Sequence, residues 1–262
     1  MKRSTKLFLG YVALLFAITF FAMLWGKNRL QNELDTVLEQ KDILSTLSIE
    51  NDTIRGINID GPFDITLHNG KGAATISGPK IMVDDFALKV RNGLLTFSSR
   101  RFVVPKGVRL SLDVYAKSFE EMYAHGKTII SSTDTLRLSH DCKIKLRDKA
   151  QMKLVIYPVN ILDVSIESDG NQQLSGDVGQ LEVYADDDAF CDFSQLPARI
   201  VKVFTAEDAK VIVNATEKLS LTATDDSNIS YIDNAAEVSK ETNDDATITS
   251  IAPDTEVKKP VQ

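Results

Sequence analysis

The sequence predicts an all-β fold of stacked coils, a β-solenoid, behind an N-terminal helix of membrane-spanning length. Three observations carry that expectation. The half of the chain after Ile161 repeats itself: LDVSIESDG from Leu162, LEVYADDDA from Leu181, VKVFTAEDA from Val201, LSLTATDDS from Leu219 and VSKETNDDA from Val238 start 19, 20, 18 and 19 residues apart. Each stretch opens on alternating apolar positions, reaches an Asp and a small residue, and then alternates again. A period of about 20 residues with alternation inside it is the mark of coils that stack, each burying its apolar side only against its neighbours. Finally, Leu7 to Trp25 is uncharged throughout.

Residues 1–26 read as a cytoplasmic tip and a transmembrane anchor. Nineteen residues of helix span roughly 28 Å, about the hydrocarbon core of a bilayer. Lys2, Arg3 and Lys6 precede the run, which places the amino end in the cytoplasm. Trp25 suits the far interface. A cleaved signal peptide would need a shorter apolar region and a small-x-small site, and Phe21 to Gly26 offers no good one. Residues 27–50 read as an amphipathic stalk helix and linker. Leu30, Leu34, Val37, Leu38 and Leu44 recur at near-helical spacing over Lys27–Thr46, with too few heptads for a coiled coil.

Residues 51–251 read as the solenoid domain. Ile57/Ile59, Phe63/Ile65/Leu67 and Ala74/Ile76 alternate between turns at Gly61-Pro62, Asn69-Gly70 and Gly78-Pro79. Leu88/Val90 leads through Asn92-Gly93 to a second strand, and Val108 to Val114 alternates strongly. Irregular coils follow at Met122–Ile130 and Leu136–Leu146. In the regular coils the first inward column is Leu162/Val164, Leu181/Val183, Val201/Val203 and Leu219/Leu221. The second is Leu174, Phe193, Val213 and Tyr231. The polar stretch Val238–Ser250 suits a cap on the last coil. Residues 252–262 read as a disordered tail.

Net charge is −7 and unevenly placed: residues 161–262 carry 21 Asp/Glu against 7 Lys/Arg. That balance argues against nucleic acid as a partner. Two cysteines are too few for a disulfide scaffold. The alignment puts Cys142 at the small corner position and Cys191 level with Val211 and Ile229, so both read as buried free thiols.

Asp141, Asp169, Asp188, Asp208, Asp226 and Asp245 align at one corner of the coil. Stacked carboxylates are the hard oxygen ligands that Ca²⁺ takes. Spacings of 18–20 residues, however, match neither an EF-hand loop nor the nine-residue calcium repeat. The column reads instead as corner residues accepting hydrogen bonds from their own turns, and no metal site is assigned. Of the three histidines, His68, His125 and His140, the last two fall at neighbouring corners beside Asp141 and read as exposed turn residues rather than as a transition-metal pair. No nucleophile elbow, phosphate loop, dinucleotide turn, CxxC pair or HExxH occurs. Aromatics make up 7% of the chain and the single Trp lies in the anchor, which argues against a sugar-stacking groove.

The opening IRGINIDGPFDITLHNG, the NGLLTF hairpin at Asn92–Phe97, the strand VRLSLDVYAKSFEEM from Val108 and coils such as AEDAKVIVNATEKLSLTATDDSNISYI from Ala206 together resemble the auto-transporter adhesin head family, the GIN domain, of bacterial envelope proteins. The resemblance covers roughly residues 55–251. The corners here are mostly Asp plus a small residue, where that family carries Ser-Gly-Ala/Ser-type turns. The resemblance implies a single-stranded, right-handed β-helix with an extracytoplasmic location and a role in adhesion. The resulting expectation is a non-enzymatic, single-pass protein of the cytoplasmic membrane. It is anchored by residues 7–25 and has no cofactor. Its exported domain meets a protein or glycan on the outer side. A carbohydrate-active solenoid enzyme and a structural or regulatory envelope protein are the alternatives.

Overall fold

The computed structural model describes residues 3–39, 42–99 and 107–253. The chain opens with α1 (Arg3–Glu39), one continuous 37-residue helix in which the apolar run and the expected stalk are a single rod. Its large apolar side chains from Leu14 to Trp25 are exposed. Arg29 lies 5.9 Å from the centre of the Trp25 ring. Among the described residues no helix is long and apolar enough to cross a membrane. The side chains of residues 1–11 and 13, which open the apolar run, lie outside that description.

The stalk ends earlier than the sequence suggested. The helix stops at Glu39, and β1 (Leu44–Glu50) is a strand. Leu44 fits the helical spacing by coincidence. LSTLSIE holds three hydroxyl residues and two β-branched ones, Thr46 and Ile49, which do better in an extended pairing than in a helix.

Among the described residues the remaining regular elements are strands, apart from α2. In order they are β2 (Gly56–Asp60), β3 (Phe63–Asn69), β4 (Ala73–Pro79), the one-turn α2 (Lys80–Val83), β5 (Phe86–Arg91), β6 (Leu94–Ser99), β7 (Leu110–Ala116), β8 (Phe119–His125), β9 (Ile129–Ser132) and β10 (Leu138–Asp148). Then come β11 (Gln151–Val155), β12 (Val159–Ser168), β13 (Asn171–Ser175), β14 (Val178–Asp186), β15 (Phe190–Thr205), β16 (Lys210–Ala223), β17 (Asn228–Ile232), β18 (Glu237–Thr242) and β19 (Thr247–Ile251). They form a β-solenoid of about seven turns. One face stacks β2, β8, β10, β12, β14 and the later halves of β15 and β16, then β18, all parallel. The other stacks β3, β9, β11, β13, the earlier halves of β15 and β16, β17 and β19, again parallel.

The register fixes the core. Ile57, Met122, Ile144, Val164, Val183, Val203 and Leu221 lie in one inward column. On the other face Ile65, Ile130, Met152, Gln172, Cys191, Val211 and Ile229 do the same. All are buried. Both inward columns read from the regular coils are therefore correct, and Phe193 is fully enclosed between its neighbours. Gln172 is the polar exception, and its Nε2 donates to the Ala150 carbonyl at 2.8 Å.

The two ends close differently. Below the first rung, β7 pairs parallel with β3, and β4 and β1 continue outward antiparallel. The β5–β6 hairpin covers β2. At the other end, the register that carries Leu221 on the preceding rung carries Lys240 on β18. Its Nζ sits 4.5 Å from the centre of the Tyr231 ring. A charge at an inward position spoils the end as a template for another strand. Residues 254–262, most of the expected tail, lie outside the described residues.

Because each rung buries its neighbours, core position should decide mutational cost. Phe193→Ala is expected to cost about 3–5 kcal/mol. Val238→Ala, on the half-open last rung, should stay within about 0.5 kcal/mol. Urea unfolding followed by circular dichroism checks the contrast.

Candidate functional site

Alternation along the first face sends every second residue outward, so the register also builds a surface grid. Rung by rung its two central outward columns read Glu121/Tyr123, Lys143/Lys145, Asp163/Ser165, Glu182/Tyr184, Lys202/Phe204 and Ser220/Thr222. Cross-strand neighbours on this grid bond to each other. Lys202 Nζ lies 2.7 Å from Glu182 Oε1, and Lys145 Nζ lies 3.2 Å from Glu167 Oε1. The hydrogen bond from Lys202 holds the Glu182 carboxyl below the usual range. Burial would raise Glu167, but the hydrogen bonds and charges of Lys145 and Arg147 outweigh it and leave the group lowered.

The grid brings together two aromatic rings that are twenty positions apart in the sequence. Tyr184 and Phe204 stack with ring centres 5.4 Å apart and planes 4° from parallel. They remain 38% and 37% exposed. Tyr184 Oη donates to Asp186 Oδ2 at 3.0 Å. Burial, and then the bond to Asp186, raise the Tyr184 phenol above its ordinary value. Around the pair lies an open groove of about 350 Å³, lined also by Asp163, Glu182, Lys202, Ser220 and Thr222. The low aromatic content of the chain pointed away from it. The signal was present, however, in the repeat itself: LEVYA and VKVFT set Tyr184 and Phe204 in the same column.

The acidic corner is built differently from the sequence expectation. The acidic residues with positive φ are Asp148, Asp187, Glu207, Asp225 and Asp244, each one place before a second exposed residue of its corner. Turns close from Arg147 to Ala150, Ala206 to Ala209, Thr224 to Ser227 and Asn243 to Ala246. The third corner position is small because the coils meet there: a Cβ on Gly170 would sit 2.1 Å from the Ala150 carbonyl oxygen. Asp169, Asp188, Asp208, Asp226 and Asp245 do occupy one corner column. Asp141 does not, because it pairs with Ile161 in the strand ladder. Lys149 stands at the corner instead, with Nζ 3.0 Å from Asp169 Oδ2. Asp141 and Cys142 imitated the corner's Asp-plus-small pattern, but β10 shifts register against β8 between Leu138 and Lys143, and both residues lie within the strand.

The carboxylates that converge are also not the expected column. Among the described residues, oxygens of Asp186, Asp187 and Glu207 come within 4.8 Å of one another. The hydrogen bonds described at the corners are made by other acids: Asp148 accepts from the Gly126 N–H, Asp186 from the Asp187 N–H, and Asp225 from the Glu207 N–H. Asp187 is raised by burial and then by Asp186. Glu207 is raised by the charge of Asp186 and then of Asp187.

The histidines do not pair. His125 pairs with Asp60 at a corner, whereas His140 lies in the shifted part of β10 with Nδ1 2.8 Å from Asp141 Oδ1. His68 stands apart from both, on β3. Its Nε2 lies 3.0 Å from Asp113 Oδ1, its Nδ1 lies 3.3 Å from Thr133 Oγ1, and its ring stacks on Tyr115 at 4.5 Å. Both cysteines are buried and free, as expected. Burial, and then Glu121 and Glu120, push the Cys142 thiol up to about 12. Burial alone raises Cys191.

Comparison with known proteins gives the fold a family context. Residues 54–235 match the family model described as "Putative auto-transporter adhesin, head GIN domain". No curated protein matches. Among solved structures, a "putative adhesin" from Bacteroides fragilis NCTC 9343 is similar, with a TM-score of 0.69 at 16% identity, over 81% of this chain and 99% of that one. A "putative adhesin" from Parabacteroides merdae ATCC 43184 gives 0.63 at 16% identity, over 79% and 96%. A "Putative lipid binding protein" from Parabacteroides distasonis ATCC 8503 gives 0.59 at 14% identity, over 79% and 96%. At these identities the likeness speaks for the fold.

Two outcomes follow from the corner and the thiols. Raised carboxyls favour the fold when protonated, so that stability is present below about pH 4 and lost as pH rises through the raised folded values. Glu207→Asn, which removes a repelling charge and suits a positive φ, is therefore expected to raise the urea midpoint at pH 7, with a smaller gain at pH 3.5. A thiol-reactive chromophore at pH 8 should label neither cysteine in the folded chain and both after unfolding.

Proposed function

The chain belongs to the auto-transporter adhesin head GIN domain family, and from that membership we propose a membrane-anchored, non-enzymatic envelope protein whose exported solenoid is an interaction module of the adhesion type. The observation that carries this reading is the outward face of the solenoid. It is a repetitive surface whose side chains are set by backbone register, with an open groove, in a chain that carries no nucleophile elbow, phosphate loop or HExxH motif. Such a surface suits recognition, because positioning residues on strands fixes them at little entropic cost. The adhesin names carried by the family and by two of the structural neighbours support the same reading. The lipid-binding name belongs to a third neighbour. The groove here is open and crossed by an ion pair, which suits an acyl chain poorly.

The anchor is the uncharged run Leu7–Trp25, preceded by three basic residues. Apolar side chains exposed from Leu14 to Trp25 on a single helix need a non-aqueous surrounding. The basic flank puts the amino end in the cytoplasm and the solenoid outside.

Fractionation and protease access test the proposal together. The full chain is expected to sediment with membranes, to resist alkaline carbonate and to lose its solenoid to protease added to spheroplasts. Deleting residues 7–25 should release it. A carbonate-soluble full chain, or a solenoid protected in spheroplasts, would refute the anchor. Release of reducing ends from envelope polysaccharides by the purified chain would refute the non-enzymatic reading.

A further inference from the structure

We propose that the Tyr184–Phe204 groove binds a neutral glycan. This rests on the reading of the solenoid as an interaction module and names the partner class for one of its surfaces. A pyranose ring presents two kinds of surface at once: an apolar face of C–H groups and a rim of hydroxyls. The groove offers a counterpart to each. Tyr184 and Phe204 form an exposed parallel aromatic pair, which gives the C–H face a partner. Glu182, Asp163 and Lys202 line the same groove, so carboxylate acceptors and an ammonium donor stand beside the rings.

The neighbours of the rings leave room for a ligand. In register, Ser165 precedes Tyr184 and Thr222 follows Phe204, so the aromatic column is bounded on both sides by short hydroxyl residues. A long side chain at either place would cover the pair. A volume of about 350 Å³ sits at the lower end of pockets that hold small ligands, sized for individual sugar units rather than an engulfed chain.

Charge selects among glycans. Two carboxylates against one ammonium leave the lining net negative, and Asp186, hydrogen-bonded to Tyr184, adds to it. Sulfated or uronic-acid chains would be repelled, whereas neutral sugars lose nothing. A buried acyl chain would need an enclosed apolar cavity in place of the Glu182–Lys202 ion pair at 2.7 Å. The exposed Tyr157, which has Arg137 5.7 Å from its ring centre, provides an aromatic control outside this groove.

The test uses the full chain in phosphatidylcholine nanodiscs, which avoids sugar detergents. Chitotetraose and maltotetraose serve as neutral probes, and a heparin-derived tetrasaccharide serves as the anionic one, followed by saturation-transfer NMR and calorimetry. At least one neutral tetrasaccharide is expected to bind. Phe204→Ala and Tyr184→Ala should each weaken that binding ten-fold or more, Tyr184→Phe less than three-fold, and Tyr157→Ala not at all. Heparin tetrasaccharide should not compete. The inference is overturned if neither neutral probe binds at millimolar concentration. It is also overturned if Phe204→Ala leaves binding intact while its circular dichroism matches wild type, or if the anionic probe competes equally. Those results would leave the membrane anchor and the exported location untouched, because the fractionation experiment reads them separately.

Discussion

Everything in this molecule depends on register between successive turns of chain. A strand in the stack satisfies half of its backbone groups on the rung below and half on the rung above. A coil out of step would lose its hydrogen bonds and its core together, because a one-residue slip turns the inward residues out. The corner enforces this register. At the corners of Asp148, Asp187, Glu207, Asp225 and Asp244 the residue with positive φ reverses the chain, the next residue faces solvent, and the third is Ala or Ser beside the adjoining coil. Asp tolerates the left-handed region better than most side chains, which accounts for its recurrence at Asp148, Asp187, Asp225 and Asp244. Glu207 holds the same position without that advantage and beside two like charges.

The same register makes the surface a consequence of the sequence in columns rather than in segments. A residue type that recurs at one place in consecutive coils becomes a ladder, with side chains at about the 4.8 Å spacing of strands. Alternating charges on successive rungs then become ion pairs, as Glu182 and Lys202 do. Like charges at successive corners become a strained acidic edge, as Asp186, Asp187 and Glu207 do. Two aromatics in one column become a stacked pair. The solenoid can thus assemble a recognition surface from isolated substitutions without any loop, and the surface changes with each one while the core does not.

Much of this was legible in the sequence, and what was not legible has a common cause. The inward columns from Leu162 to Tyr231 followed from periodicity, because core residues and corners in the regular coils report the same local geometry. The misplaced residues lie where pairing is set at a distance. Leu44–Glu50 is a strand paired with β4, a partner that local sequence does not reveal, so the helical spacing of Leu44 masked the strand-favouring composition of the segment. Asp141 and Cys142 matched the corner by composition, while a bulge in β10, visible only through its pairing with β8, put them elsewhere. The aromatic pair was readable in the aligned repeats but hidden by counting aromatics over the whole chain, since stacking depends on two rings sharing a column and not on how many rings there are.

The ends of the stack show why the family fold leaves function to the surface. A solenoid must stop its own growth, and this one does so by two unlike devices. At one end antiparallel strands and a hairpin cover the first rung. At the other, Lys240 occupies a place where every earlier rung has an aliphatic or Met side chain. Neither device constrains the outward grid between them. The core and the caps decide that the column exists and ends, and the outward columns are left free to differ. Neighbours with the same fold and 14–16% identity can therefore present different chemistry on the same rungs. In this chain one such outward feature is the stacked pair of Tyr184 and Phe204, set between the short hydroxyl residues Ser165 and Thr222 by the register that also fills the core beneath them.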